Sequence, residues 1–161
     1  MDVFYTTKPV KSADFLLLIL TRCGVIAPKI LRTPNGKPYL DGDALYFNVT
    51  HTEGLTAVAV CGQEVGLDAE RRTERRSGAL KARLTPLERE EDFFELWTAK
   101  EAYVKFRGET LARMLPSLTY ERKSLFLNSH PIPAFFKHFQ LGEHTLCVCT
   151  EREETITLIS I

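Results

Sequence analysis

Apolar residues cluster at helical spacing near the start and in the middle of the chain, and alternate or run together elsewhere. Phe15-Leu16-Leu17-Leu18-Ile19-Leu20, capped by Ser12 and ended by Gly24, predicts a helix after a short strand at 3–5. Pro34-Asn35-Gly36-Lys37-Pro38 is a turn. Strands are predicted at 45–50, 55–61 and 65–70, joined through His51-Thr52-Glu53-Gly54 and Gly62-Gln63-Glu64, which suits an antiparallel meander. Thr85-Pro86-Leu87-Glu88 is a capping box with Pro at the first helical position, and Gly108 stands where a helix should stop. The main helix is expected between them, broken near Asp92. The tail returns to strands at 118–127, 135–141, 145–150 and 155–159.

Aligning Gly54 with Gly142 sets Val58-Ala59-Val60-Cys61 on Leu146-Cys147-Val148-Cys149, pointing to two similar halves of about 80 residues. The expected organisation is one domain over 1–161, with halves of approximately 1–75 and 76–161. No Ser/Gly/Pro-rich linker separates them.

With 161 residues and 44% hydrophobic residues, the chain can bury a site without a metal or disulfide to hold the fold. Lys and Arg total 21 against 21 Asp and Glu, and zero net charge argues against a general nucleic-acid or anionic-membrane binder. The longest apolar run, at 15–20, is too short to span a bilayer, and the start lacks the pattern of a signal peptide. A cytoplasmic protein is expected. Cys23, Cys61, Cys147 and Cys149 have no metal-ligand spacing and read as small core residues in a reducing compartment.

Candidate chemistry concentrates in two places. Placed at roughly 100° per residue, Phe93, Leu96, Trp97 and Val104 form one apolar stripe of the main helix. Lys100 falls inside that stripe, and Glu101 lies at its border, one turn from Lys105. A purely structural helix would place Leu or Ala there, because an unpartnered buried charge is costly. An exposed i,i+4 ion pair of Glu101 with Lys105 is the plainer alternative. On the strand at 65–70, Asp68 and Glu70 point the same way, which is unfavourable unless a cation lies between them, the plainer alternative being a frayed strand end in water. Carboxylates with waters and substrate phosphates are the usual magnesium ligands. Asn48-Val49-Thr50-His51 and Gly36-Lys37-Pro38 add cations that suit a substrate bearing several phosphates. The basic run Arg71, Arg72, Arg75, Arg76, Lys81 and Arg83 reads as a solvated face in preference to an anionic docking surface.

Taken in order, Gly36-Lys37-Pro38, Phe47-Asn48-Val49-Thr50-His51, Val65-Gly66-Leu67-Asp68-Ala69-Glu70 and the run from Phe94 to Lys105, with its Trp97-Thr98-Ala99-Lys100-Glu101, closely resemble the 4′-phosphopantetheinyl transferase superfamily, in its surfactin-synthetase-activating, monomeric type. The resemblance runs from about residue 11 to the C-terminus. It implies an α+β fold of two pseudo-symmetric halves, each a helix on a small antiparallel sheet, with coenzyme A in the cleft between them. It implies an enzyme that moves the phosphopantetheine arm of coenzyme A to a serine of an acyl or peptidyl carrier protein, releasing adenosine 3′,5′-bisphosphate.

By motif, Asp68, Glu70 and Glu101 resemble the magnesium ligands. Glu101, Lys105 and Asp68 resemble the catalytic group, and Lys37, Thr50, His51, Lys100 and Lys105 the coenzyme A contacts. The base that takes the serine proton is a carboxylate such as Glu101 or a metal-positioned water. Larger members carry a longer basic N-terminal stretch, for which Lys8, Lys11, Arg22, Lys29 and Arg32 are the substitutes here. Carrier contacts are implied just after the Lys-Glu helix, at Arg107, Leu111, Arg113, Met114 and Leu115, with an ordinary short core helix as the alternative. A monomer that binds neither nucleic acid nor membrane is expected. The competing readings are another magnesium-dependent transferase of a nucleotide diphosphate substrate, and a partner-binding module whose acidic cluster is surface decoration.

Overall fold

A computed structural model describes all residues except 43–44, 74–77, 79–80 and 82–83. Strands β1 (Asp2–Thr6), β2 (Ile30–Arg32), β3 (Pro38–Leu40), β4 (Tyr46–Thr52) and β5 (Leu55–Cys61) accompany helix α1 (Ser12–Arg22) in the first part of the chain. Then follow β6 (Val65–Arg71), helices α2 (Phe93–Arg107) and α3 (Leu111–Met114), and strands β7 (Leu118–Glu121), β8 (Ser124–Leu127), β9 (His130–Pro131), β10 (Phe135–Leu141), β11 (His144–Thr150) and β12 (Thr157–Ser160). The α+β class follows directly. Among the described residues no helix is long and apolar enough to cross a membrane.

Two sheets carry the architecture, with strand orders β12-β1-β5-β4 and β10-β11-β6. Strand β5 is buried throughout because both its faces are covered. Val58 and Val60 meet Phe15, Leu16, Ile19 and Leu20 of α1, whereas Ala57 and Ala59 face the second sheet. In β11, Leu146 and Val148 turn toward the first sheet, and Cys147 and Cys149 toward α2. The layers therefore run helix, sheet, sheet, helix. Burial on both faces also explains why these strands read as continuous apolar runs rather than as an alternation.

The expected meander stops after β5. Strand β5 pairs with β4 and β1, while β6 crosses to the second sheet and pairs antiparallel with β11, Asp68 opposite Cys147. The order β1-α1-β4-β5 is repeated as β6-α2-β10-β11, so Val65–Arg71, placed before residue 75 by the sequence, belongs with the second sheet. The hairpin β4-β5 corresponds to β10-β11 with Leu55 at the position of His144. Val58 then matches Cys147, one residue from the register that the two glycines suggest. That register is the physical one, because both residues face the helix of their own half and a one-residue slip exchanges the faces of a strand.

Three local expectations change. Helix α1 begins at Ser12, with Lys11 at the cap position and no side-chain cap. The segment 118–127 is a hairpin, turned by Arg122 and Lys123 at φ of 50° and 60° without the glycine that would have marked it. Cys23 is exposed, whereas Cys61, Cys147 and Cys149 are buried as expected. The break near Asp92 is present: a 3₁₀ turn at Glu88–Glu90 precedes α2, Asp92 caps it by accepting from the N–H groups of Phe94 and Glu95, and Gly108 ends it at φ 62°.

Candidate functional site

Strand β6 presents Gly66, Asp68 and Glu70 on one face by its two-residue period, and α2 lies across that face. Asp68 is 3% exposed, and one of its oxygens, Oδ1, accepts from Lys105 Nζ at 2.6 Å and from the Thr50 hydroxyl at 3.2 Å. Its other oxygen, Oδ2, is buried with no hydrogen-bond partner. Burial pushes the Asp68 carboxyl above the ordinary carboxylate range, and the Lys105 ammonium and Thr50 hydroxyl offset this only in part. Glu101 reaches the same place from α2. One carboxylate oxygen each of Asp68, Glu70 and Glu101 lie within 4.8 Å of one another. Three hard oxygen donors, two of them on buried residues and one with an unsatisfied oxygen, fit a divalent cation of the magnesium type.

Lys105 Nζ also donates to the Leu67 carbonyl at 3.2 Å and reaches Thr50 Oγ1 at 3.4 Å. Thr50 turns into this cluster, and His51, next along β4, is exposed. Lys100 faces away from it: its ammonium pairs with Glu88 at 2.5 Å, and both side chains are almost fully buried. The same Glu88 accepts from the N–H groups of Thr85 and Tyr120, at 3.0 Å each. The capping box visible in the sequence thus also supplies the partner that keeps Lys100 inside the apolar stripe. A cavity of about 300 Å³ opens beside the pair, lined by Leu84, Trp97, Leu115 and Leu118 among others. Lys37, from the β2-β3 turn, pairs with Glu64 and donates to the Phe106 carbonyl at 3.0 Å, near the C-terminal end of α2. It lines a second cavity, of about 420 Å³.

Residues 64–154, which hold β6, α2 and their sheet, match the family model of the 4′-phosphopantetheinyl transferase superfamily. The chain belongs to this superfamily. The 4′-phosphopantetheinyl transferase gsp of Aneurinibacillus migulanus is 25% identical over 147 residues, covering 78% of this chain and 59% of that protein. The 4′-phosphopantetheinyl transferase of Bacillus subtilis is 26% identical over 132 residues, 71% of this chain and 59% of that protein. The 4′-phosphopantetheinyl transferase psf-1 of Bacillus pumilus is 29% identical over 136 residues, 73% and 58%. The chain spans about three fifths of the length of these curated relatives.

The structure adds physical roles that the superfamily motifs did not reveal by spacing alone. Asn48 Oδ1 accepts the N–H of Leu67, and Thr50 Oγ1 that of Ala69, each at 3.2 Å. Two alternate side chains of β4 thus satisfy the open edge of β6 and join the sheets. Asn48 was legible only as part of a string, although its two-residue spacing from Thr50 was the available signal. At Gly66, a Cβ would lie 1.9 Å from the Ala102 carbonyl oxygen and 2.6 Å from the Phe106 nitrogen. Only glycine lets α2 approach closely enough to bring Glu101 to Asp68.

The basic run resolves into separate parts. Arg71 pairs with Glu53 and Glu143, fastening the turns of the two equivalent hairpins. Arg72 pairs with Asp92, donates to Thr145 Oγ1 at 2.9 Å and lies 4.9 Å from the Phe94 ring centre. Neither is a plain solvated charge. Lys81 is exposed, and Arg75, Arg76 and Arg83 lie outside the described residues. After α2, Leu111, Met114 and Leu115 pack partly buried against the second core, while Arg107 and Arg113 remain exposed.

Helix α2 is anchored by two carboxylates with depressed pKa. For Glu88, burial acts upward but is outweighed by the hydrogen bond from Lys100 and by backbone N–H groups. For Asp92, burial is outweighed by Arg72 and the helix N–H groups. Each carboxyl binds its proton less readily folded than unfolded. Its stabilisation is complete above the unfolded pKa, around 4, and is lost as pH falls through the lower folded value. Urea unfolding between pH 7 and pH 3 should show stability falling only below about pH 4.5, with a shallower fall in Asp92→Asn. An unchanged slope in that variant would contradict the assignment.

Proposed function

We propose that the protein transfers the 4′-phosphopantetheine arm of coenzyme A to a serine of an acyl or peptidyl carrier protein and releases adenosine 3′,5′-bisphosphate. The observation that carries this reading is the convergence of Asp68, Glu70 and Glu101, with a buried, unsatisfied oxygen on Asp68, in a chain of this superfamily. Surface decoration would leave all three carboxylates in water, and two of them are buried. Asp68, Glu70 and Glu101 would hold a magnesium ion. When bound, it supplies positive charge against the pyrophosphate and the leaving bisphosphate.

The chain's own residues account for the other requirements. Lys105, already at the cluster, offers its ammonium to the transferred phosphoryl group, where charge spreads in the transition state. The serine hydroxyl attacks the phosphorus attached to pantetheine, and the bond from that phosphorus to the oxygen of adenosine 3′,5′-bisphosphate breaks. The serine proton, held far too tightly at neutral pH to leave unaided, passes to a base, and Glu101 is the least buried carboxylate of the three. The cavity beside Lys37 takes the nucleotide. Thr50, at the acidic cluster, and the exposed His51 beside it on β4 are further coenzyme A contacts.

The protein acts as a monomer in this reading, since both halves of the site lie on one chain, and its unpaired thiols suit a cytoplasmic location. Intact mass of several apo carrier proteins after incubation with coenzyme A and magnesium tests the reaction. A gain equal to the phosphopantetheine arm is expected, and its absence on every carrier would overturn the proposal. Carrier docking is assigned to the exposed Arg107 and Arg113. Reversing both to Glu should raise the KM for the carrier several-fold and flatten its salt dependence, with coenzyme A affinity unchanged. Equal losses for both substrates would show that these arginines are structural.

A further inference from the structure

Coenzyme A carries a pyrophosphate, where the bond is cleaved, and a separate 3′-phosphate. On the functional reading above, the acidic cluster and Lys105 take the first, so the second needs another cation. The cavity beside the end of α2 offers one: it is lined by Arg32, Lys37, Tyr39, Tyr46, Phe47 and Glu64, among others. Aromatic rings and ammonium and guanidinium groups suit a planar base bearing a phosphate. The Lys37 ammonium, however, is already engaged by the Glu64 carboxylate.

The two partners are held very differently. The Lys37 side chain is 11% exposed and fixed by the Phe106 carbonyl, whereas Glu64 is 50% exposed and can swing into water. We propose that Glu64 is a displaceable counter-ion of Lys37, which holds the ammonium in the free protein, gives way to the 3′-phosphate, and returns as adenosine 3′,5′-bisphosphate leaves. A dianionic phosphate outcompetes a monoanionic carboxylate for a fixed cation, and a ribose hydroxyl does not. Glu64 therefore weakens the grip on the product without changing the affinity for a nucleotide that lacks the 3′-phosphate.

The test is calorimetric titration of adenosine 3′,5′-bisphosphate and of dephospho-coenzyme A into the wild type, Glu64→Gln, Glu64→Ala, Lys37→Met and the Lys37→Met/Glu64→Gln double variant. Removing the carboxylate should tighten the bisphosphate roughly three- to tenfold, leave dephospho-coenzyme A unchanged, and have no effect without Lys37. Unchanged or weaker bisphosphate binding in both Glu64 variants would overturn the inference. So would an equal gain for dephospho-coenzyme A, or a gain that persists without Lys37. If the wild type binds neither nucleotide, the functional reading fails and this one with it; wild-type binding with no effect at Glu64 overturns this inference alone.

Discussion

Replacing Asp68 by Ala should lower kcat/KM for carrier modification by roughly a thousandfold or more, because removing several kcal/mol of charge stabilisation costs about a factor of ten per 1.4 kcal/mol. The same change should leave the protein folded. It removes a carboxylate crowded by Glu70 and Glu101 and raised in pKa by burial, so part of the lost pairing with Lys105 is offset by relieved repulsion. Lys105 keeps the Leu67 carbonyl and the Thr50 hydroxyl as partners. Carrier mass shift and thermal unfolding, measured side by side on Asp68→Ala and the isosteric Asp68→Asn, check both halves. Near-wild-type transfer in both variants would remove Asp68 from the site, and loss of the folded state in both would make it structural.

Gly66→Ala should be among the most destabilising single changes in the chain, by at least about 3 kcal/mol, since overpacking already costs 1–3 kcal/mol when the obstructing neighbour is a movable side chain. Here the obstruction is helix backbone, the Ala102 carbonyl oxygen at 1.9 Å. Relief requires α2 to lift from β6, and that motion carries Glu101 and Lys105 away from Asp68 and Glu70. Urea unfolding should show the loss of stability, and a residually folded fraction should show lost transfer with a weakened response to magnesium. A variant of normal stability would mean that the close contact of α2 with β6 is not a feature of the protein.

The strands at 55–61 and 135–141, the break near Asp92 and the stop at Gly108 are legible because period, helix-boundary chemistry and glycine conformation are local properties. Strands β2, β3 and β9 have no signal in the sequence because two or three residues carry no period. The turn of the hairpin at 118–127 has no mark in the sequence because Arg122 and Lys123 take positions that glycine normally fills. The stripe of α2 exposed Lys100 as an anomaly, but its partner Glu88, twelve residues earlier, could be found only once the chain had folded back.

The amino-acid sequence by itself determined which of the candidate residues share a face. Asp68 and Glu70 share a face because strands alternate, and Glu101 and Lys105 share one because helices turn every 3.6 residues, so each pair follows from local geometry. Only the tertiary structure decided that β6 leaves its neighbours in sequence for β11, that Asn48 and Thr50 bind the edge it leaves open, and that α2 lies close over Gly66. Those are contacts between distant segments, chosen by which faces must be buried together and which backbone groups remain unsatisfied, and no local period encodes them. The site exists where the two kinds of information meet: local periods aim the carboxylates, and the packing of α2 on β6 brings them within reach of one ion.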